Sequence, residues 1–137
     1  MILIFGGCGS GDETTTSLTK PQFVKRANEL CKARQEDRNQ EIEEVTSTLK
    51  PGEGFSDAEQ TKLVQTLIIP SYEKTISDLK KLEPPAGDEA EVEKIITSME
   101  STQKKLEADP EEAVFTTVMF EPPNKLVRSY GLSNCAF

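Results

Sequence analysis

The sequence predicts an all-α protein: an up-down four-helix bundle with a broken fourth helix, preceded by a flexible N-terminal tether. Three observations carry that prediction. Apolar residues recur at helical spacing through most of the chain, and no segment alternates with period 2 for long enough to form a strand. Each periodic stretch opens on a capping pattern and ends at Pro or Gly. The connections between long helices are only a few residues, which makes antiparallel neighbours the expected packing.

Thr19-Lys20-Pro21-Gln22 opens the first helix as a capping box with an early proline, whose missing N–H is harmless there. Phe23, Ala27, Leu30, Cys31, Ile42, Val45 and Leu49 form its inward stripe, and Lys50-Pro51-Gly52 ends it. Ser56-Asp57-Ala58-Glu59 is a second capping box. It leads into Leu63, Leu67, Tyr72, Ile76, Leu79 and Leu82 as the inward positions, with Pro84-Pro85 as the stop. Asp88 is expected to cap the third helix, with Glu91 three residues on, burying Val92, Ile95, Ile96, Met99 and Leu106. Asp109 repeats the device before Val114, Phe115, Val118 and Met119. Glu121-Pro122-Pro123 is expected to interrupt that fourth helix, which Leu126, Val127 and Tyr130 continue until Gly131 closes it.

A chain of 137 residues with 35% hydrophobic and 29% charged residues fits one small domain with a modest core. Its 24 acidic against 16 basic residues give a net charge of -8 without a basic run, which argues against nucleic acid as a partner. The absence of histidine removes the Ser-His and Cys-His nucleophile pairs and the usual zinc and haem ligation. Bundle di-metal sites use Glu-x-x-His pairs, and no loop carries the spaced oxygen donors of an EF-hand, so neither metal nor cofactor is expected. The acidic clusters at Asp88–Glu93 and Glu111-Glu112 read as helix-start charges favoured by the dipole. The expectation is a protein that is not an enzyme.

Met1-Ile2-Leu3-Ile4-Phe5-Gly6-Gly7-Cys8 is an apolar run, two glycines and a cysteine, followed by a Gly-, Ser-, Thr- and acid-rich stretch. Residues 4–10 resemble a bacterial lipobox: Phe5 takes the bulky apolar place, Gly6 and Gly7 the small ones, and Cys8 the lipidated position. The resemblance implies cleavage before Cys8 and lipidation of its thiol. Two or three acyl chains would hold the protein on the outer face of the bacterial cell membrane, where one chain would bind only reversibly. A secretory h-region runs to about 7–15 apolar residues, so Met1 is expected to lie inside a longer apolar stretch from an upstream start. The expected organisation is a signal-peptide remnant over 1–7, lipidated cysteine and tether over 8–18, and a bundle domain over 19–137. Further along, Ala27-Asn28-Glu29-Leu30-Cys31, Pro84-Pro85-Ala86-Gly87-Asp88 and Tyr130-Gly131-Leu132-x-x-Cys135 resemble small uncharacterised secreted lipoproteins of actinobacteria. That resemblance implies a location and no activity.

Setting Cys8 aside leaves Cys31 and Cys135 as an even pair in an exported protein, for which a disulfide is expected. It closes a loop on the order of 100 residues, worth about 4.7 kcal/mol in the chain-entropy model. In an up-down bundle Cys135 returns near the lower half of the first helix, and Cys31 lies roughly 18 Å above Thr19. The alternative is two unpaired core cysteines in a cytosolic protein.

Residues 32–41 put no large apolar side chain on the first helix, and its inward stripe lands on Arg34, then Asp37 or Arg38, then Glu41. Folding the chain sets this stretch opposite Pro70, which frees the Thr66 carbonyl. Ser98, Ser101 and Thr102 on the third helix, with Thr116 and Thr117 on the fourth, complete an expected polar mid-layer. Two readings stand. In one, the charges meet water and pair among themselves along the helix. In the other, Arg34 and Arg38 with Tyr72 line a groove for a small anionic or polar ligand. The functional expectation is an envelope-anchored non-enzymatic lipoprotein that contacts another envelope protein or serves a structural role. The alternative is a small-ligand carrier or sensor that uses the polar layer.

Overall fold

The computed structural model describes residues 17–137, so the lipobox, Cys8 and the first part of the tether lie outside the described residues. The described chain is all-helical, and its helices pack as a bundle. They are α1 (Lys20–Thr46), α2 (Asp57–Leu63), α3 (Ile69–Lys80), α4 (Glu89–Ala108), α5 (Glu112–Phe115) and α6 (Glu121–Tyr130). A π-helical turn, Val64–Ile68, fuses α2 to α3, and short 3-10 turns at Val118–Phe120 and Ser133–Cys135 flank α6.

Local chemistry explains most of the boundaries. At Thr19 the hydroxyl accepts the Gln22 N–H and the Gln22 side chain accepts the Thr19 N–H, a complete capping box. Ser56 and Glu59 do the same at the start of α2. The first helix stops three residues before Leu49. The hydroxyls of Thr46, Ser47 and Thr48 donate back to the carbonyls of Glu43, Glu44 and Val45, a local bonding pattern that competes with helix propagation. Gly52 then turns the chain at φ 85°. Gly131 closes α6 at φ 101°, with the Leu132 N–H reaching back to the Val127 carbonyl at 2.7 Å.

Three expectations are corrected here. Asp88 makes no side-chain cap for α4. Its carboxylate accepts the Tyr130 hydroxyl at 2.7 Å and faces Lys20 at 3.3 Å, so a tertiary tie replaces the cap. The fourth helix is broken at Thr116-Thr117 instead of at Pro122-Pro123, which occupy the first turn of α6, where proline needs no N–H donor. With only four residues in α5, Phe115 and Val118 stand 65% and 61% exposed, and Ile42 on α1 is 39% exposed. These three side chains, expected inside, have no element long enough to cover them.

The core runs from Phe23 and Tyr130 at one end, through Tyr72, Ile95, Met99 and Phe120, to Leu67 and Leu106. Phe23 and Tyr130 meet edge to face at 6.0 Å. Tyr72 meets Phe137 and Phe120 in the same manner, at 4.6 and 5.6 Å. The Cys31–Cys135 disulfide joins the middle of α1 to the last 3-10 turn, with Cα atoms 4.9 Å apart and a sequence separation of 104. Asn28 reinforces this junction by donating to the Gly131 carbonyl and accepting the Asn134 N–H.

Because the bond restrains a long loop, replacing either cysteine removes the same constraint. Cys31→Ala and Cys135→Ala should each lower the urea-unfolding free energy by about 3–5 kcal/mol, and the double variant by little more. Losses that add in the double variant would contradict a shared bond.

Candidate functional site

The polar stretch of α1 does fall opposite Pro70. Arg34, Asp37, Arg38, Glu41 and Glu44 face Thr66, Leu67, Pro70, Ser71 and Lys74 across a groove of about 440 Å³. A π-helical turn precedes the proline: the Ile69 N–H bonds the Val64 carbonyl five residues back, and Pro70 offers no N–H to Thr66.

Arg34 lies at one end and is spoken for. Its Nε and Nη2 each reach Asp78 Oδ2 at 2.7 Å, and Nη1 reaches Asp37 at 3.3 Å. Lys81 takes the other Asp78 oxygen at 3.1 Å. Burial of Asp78 acts to raise its pKa, but the hydrogen bonds and charges of Arg34 and Lys81 outweigh it and hold the carboxyl below its usual range. The same hydrogen bond to Asp78 raises the pKa of Arg34.

Arg38 is placed differently. Its guanidinium lies over the Phe137 ring, 4.2 Å from the centroid, and half-burial pulls its pKa down. Phe137 is itself fixed by Asn124, whose amide donates to the Phe137 carbonyl at 2.6 Å and accepts its N–H at 2.9 Å. The ring then stacks on Phe120 and stands edge to face with Tyr72.

Tyr72 does not line the groove. It is 1% exposed, sits behind Phe137 in the core, and its hydroxyl has no hydrogen-bond partner among the described residues. Burial drives its pKa up, opposed only weakly by the neighbouring Thr102 hydroxyl, which donates its own proton to the Met119 carbonyl. The expected mid-layer also fails to assemble. Ser98, Ser101 and Thr102 border a separate depression between α4 and α6, and Thr116 accepts the Val118 N–H in the broken connection. The polar groups lie on different faces of the bundle because the centre between them is filled by Tyr72, Met99 and Phe120.

Four residues escaped the sequence reading: Glu44, Lys74, Asp78 and Phe137. Lys74 and Asp78 were within reach of it. Once residue 41 lies opposite Pro70 in an antiparallel pair, one turn along α3 brings Lys74 to Arg38, and the next brings Asp78 to Arg34. Phe137 had no comparable signal.

A second groove, of about 340 Å³, lies at the end of α1 remote from Thr19 and is largely apolar: Ile42, Val45, Phe55, Leu63 and Val114 contribute to it. Among the described residues no three His, Cys, Asp or Glu side chains converge on a metal position. No helix of the described residues is long and apolar enough to cross a membrane.

The Arg34–Asp78 pair is partly solvated, which limits its strength. A double-mutant cycle with Arg34→Met and Asp78→Asn should return a coupling of about 1 kcal/mol, and zero coupling would contradict the ion pair. The sign with pH follows from the depressed Asp78 pKa. Its contribution is present above the unfolded carboxylate value near ~4 and is lost as pH falls through the lower folded value. Acid titration of stability should therefore be shallower in Asp78→Asn than in the unsubstituted protein.

No family model, curated protein or solved structure matches the chain.

Proposed function

We propose that this protein is a lipid-tethered, extracytoplasmic, non-enzymatic module that holds a partner protein at the bacterial cell envelope. The Cys31–Cys135 pairing is the observation that supports the location most strongly. Structural disulfides persist in oxidising compartments, and a bond across 104 residues does most where a small domain must survive without cytosolic quality control. The lipobox-like run ending at Cys8 supplies the anchor in this reading, and the polar residues after it supply a spacer.

The contact role rests on the uncovered end of the bundle. Helix α1 has 27 residues, so its far end stands about 40 Å from Thr19, where the tether joins. There the apolar groove is lined by exposed Ile42 and by Val114, which exposed Phe115 follows in the chain. Large apolar side chains gathered in one place mark interaction sites more often than chance exposure does. The partner in this reading is an envelope protein that offers apolar side chains to that end.

Cys8→Ala should move the protein from the membrane fraction to the soluble extract of the envelope. Intact mass after thiol blocking should show a chain that begins at Cys8, heavier by its lipid and lighter by two hydrogens. Retention of Cys8→Ala on the membrane, or an unlipidated chain with three blocked thiols, would overturn the reading. A photo-crosslinking residue at position 115 should trap a discrete adduct in cells, and one at exposed Ser129 on α6 should not.

A further inference from the structure

The groove between α1 and α3 holds charges without an ion-pair partner among the described residues, although Glu44 accepts the Gln40 amide at 3.5 Å. Arg34 is consumed by Asp78 and Asp37. Arg38, Lys74, Glu41 and Glu44 line the same groove, and none of the four makes an ion pair among the described residues. Arg38 is the most telling. Stacking on Phe137 engages the face of the guanidinium and leaves its in-plane N–H donors free, with no acceptor among the described residues. A half-buried guanidinium in that state is fixed in place and lacks the acceptor that would repay its lost hydration.

The free charges are also sorted by sign along the groove. Arg38 and Lys74 lie toward the Asp78 end, while Glu41 and Glu44 lie further along α1. They lie three and six residues along α1 from Arg38, a rise of about 4.5 and 9 Å. Leu67 and Pro70 provide an apolar wall between the two halves. We propose that this groove binds a short zwitterionic peptide lengthwise, its carboxylate on Arg38 and Lys74 and its ammonium on Glu41 and Glu44. The charges of a free α-amino acid are too close together to reach both ends. A dipeptide, whose consecutive Cα atoms are about 3.8 Å apart, places its termini at the required separation. A volume of about 440 Å³ suits a ligand of this size. The site does not depend on the anchor or on the apolar end of the bundle, so it stands or falls separately from the envelope reading.

The test is an amide-resolved NMR titration of the oxidised full-length protein with alanyl-alanine. The control ligands are glycine, acetylated alanyl-alanine, alanyl-alanine amide and glycerophosphoethanolamine. Saturable shifts at the amides of Arg38, Glu41 and Lys74 are expected with alanyl-alanine, and at least tenfold weaker binding with glycine and with each blocked peptide. Arg38→Met and, independently, the exposed Lys74→Met should weaken binding at least tenfold, with thermal melting used to confirm that each variant is folded. Glu41→Gln combined with Glu44→Gln should abolish the preference for the free over the acetylated peptide. No saturable shift with alanyl-alanine, or equal binding of the blocked peptides, overturns the proposal. Glycerophosphoethanolamine binding tenfold more tightly than the dipeptide overturns the peptide assignment and points to a lipid headgroup.

Discussion

The bond between Cys31 and Cys135 lays the last residues of the chain along the middle of α1, and much of one side of the bundle depends on where they lie. From Gly131 onward the segment has little regular structure of its own, with only a three-residue 3-10 turn. It nevertheless buries Leu132 and Cys135 to within 2% of full exclusion, because Asn28 and the disulfide hold it against α1 at adjacent points. Two residues beyond the bond, Phe137 reaches Tyr72 and Phe120, and those contacts close the core on that side. A short segment could not pay the entropic cost of this placement by side-chain burial alone; a covalent tie near its end reduces the freedom it loses on folding.

The charged groups divide into those that hold elements together and those that do not. Asp88, Tyr130 and Lys20 join the start of α4, the end of α6 and the start of α1 in one cluster, with the Lys20 ammonium 4.1 Å from the Tyr130 ring centroid. Tyr130 and then Lys20 hold the Asp88 carboxyl below its ordinary pKa, while burial and Asp88 push the Tyr130 phenol up. Arg34, Asp78 and Lys81 form the corresponding tie between α1 and α3. Pairs along a single helix, such as Lys25 with Glu29 and Lys32 with Glu36, are more exposed and contribute little to stability. In a chain with a net charge of -8, the α1–α3 groove stands apart, since its three cations balance its three acids.

How much of this was legible in the sequence follows from the range of each interaction. Caps and breakers act between near neighbours, so Thr19, Ser56, Gly52 and Gly131 could be placed from the sequence, and the all-helical class with them. Asp88 misled because a capping aspartate and a tertiary hydrogen-bond acceptor are the same residue in sequence, and the Tyr130 hydroxyl comes from 42 residues away. Ile42, Phe115 and Val118 misled for another reason. Periodicity says which face of a helix is apolar, not whether a neighbouring element is long enough to cover it. Within the candidate site, Arg34 and Arg38 opposite Pro70 followed from folding the chain about its turns. Placing Tyr72 beside them did not, because its aromatic ring serves the core as well as it would serve a ligand.

The disulfide and the groove are connected through one side chain. Arg38 is oriented by the Phe137 ring, Phe137 is held by Asn124 and by the core, and the segment that carries it is tied to α1 through Cys135. In the oxidised protein the guanidinium is therefore held at the groove with its in-plane donors already directed by the stacking partner. Such preorganisation is what a weak, small ligand requires, because each side chain immobilised on binding subtracts from an affinity that only a few contacts can supply. If the bond were absent, Phe137 would retain only its non-covalent contacts, and the ring beneath Arg38 would be held in place less of the time. Oxidation of the Cys31–Cys135 pair and the order of the groove's cationic end are thus coupled by geometry. A reduced chain would be expected to lose the order of the cationic end before it lost the fold, since Arg34–Asp78 and the α3–α4 packing do not pass through Cys135.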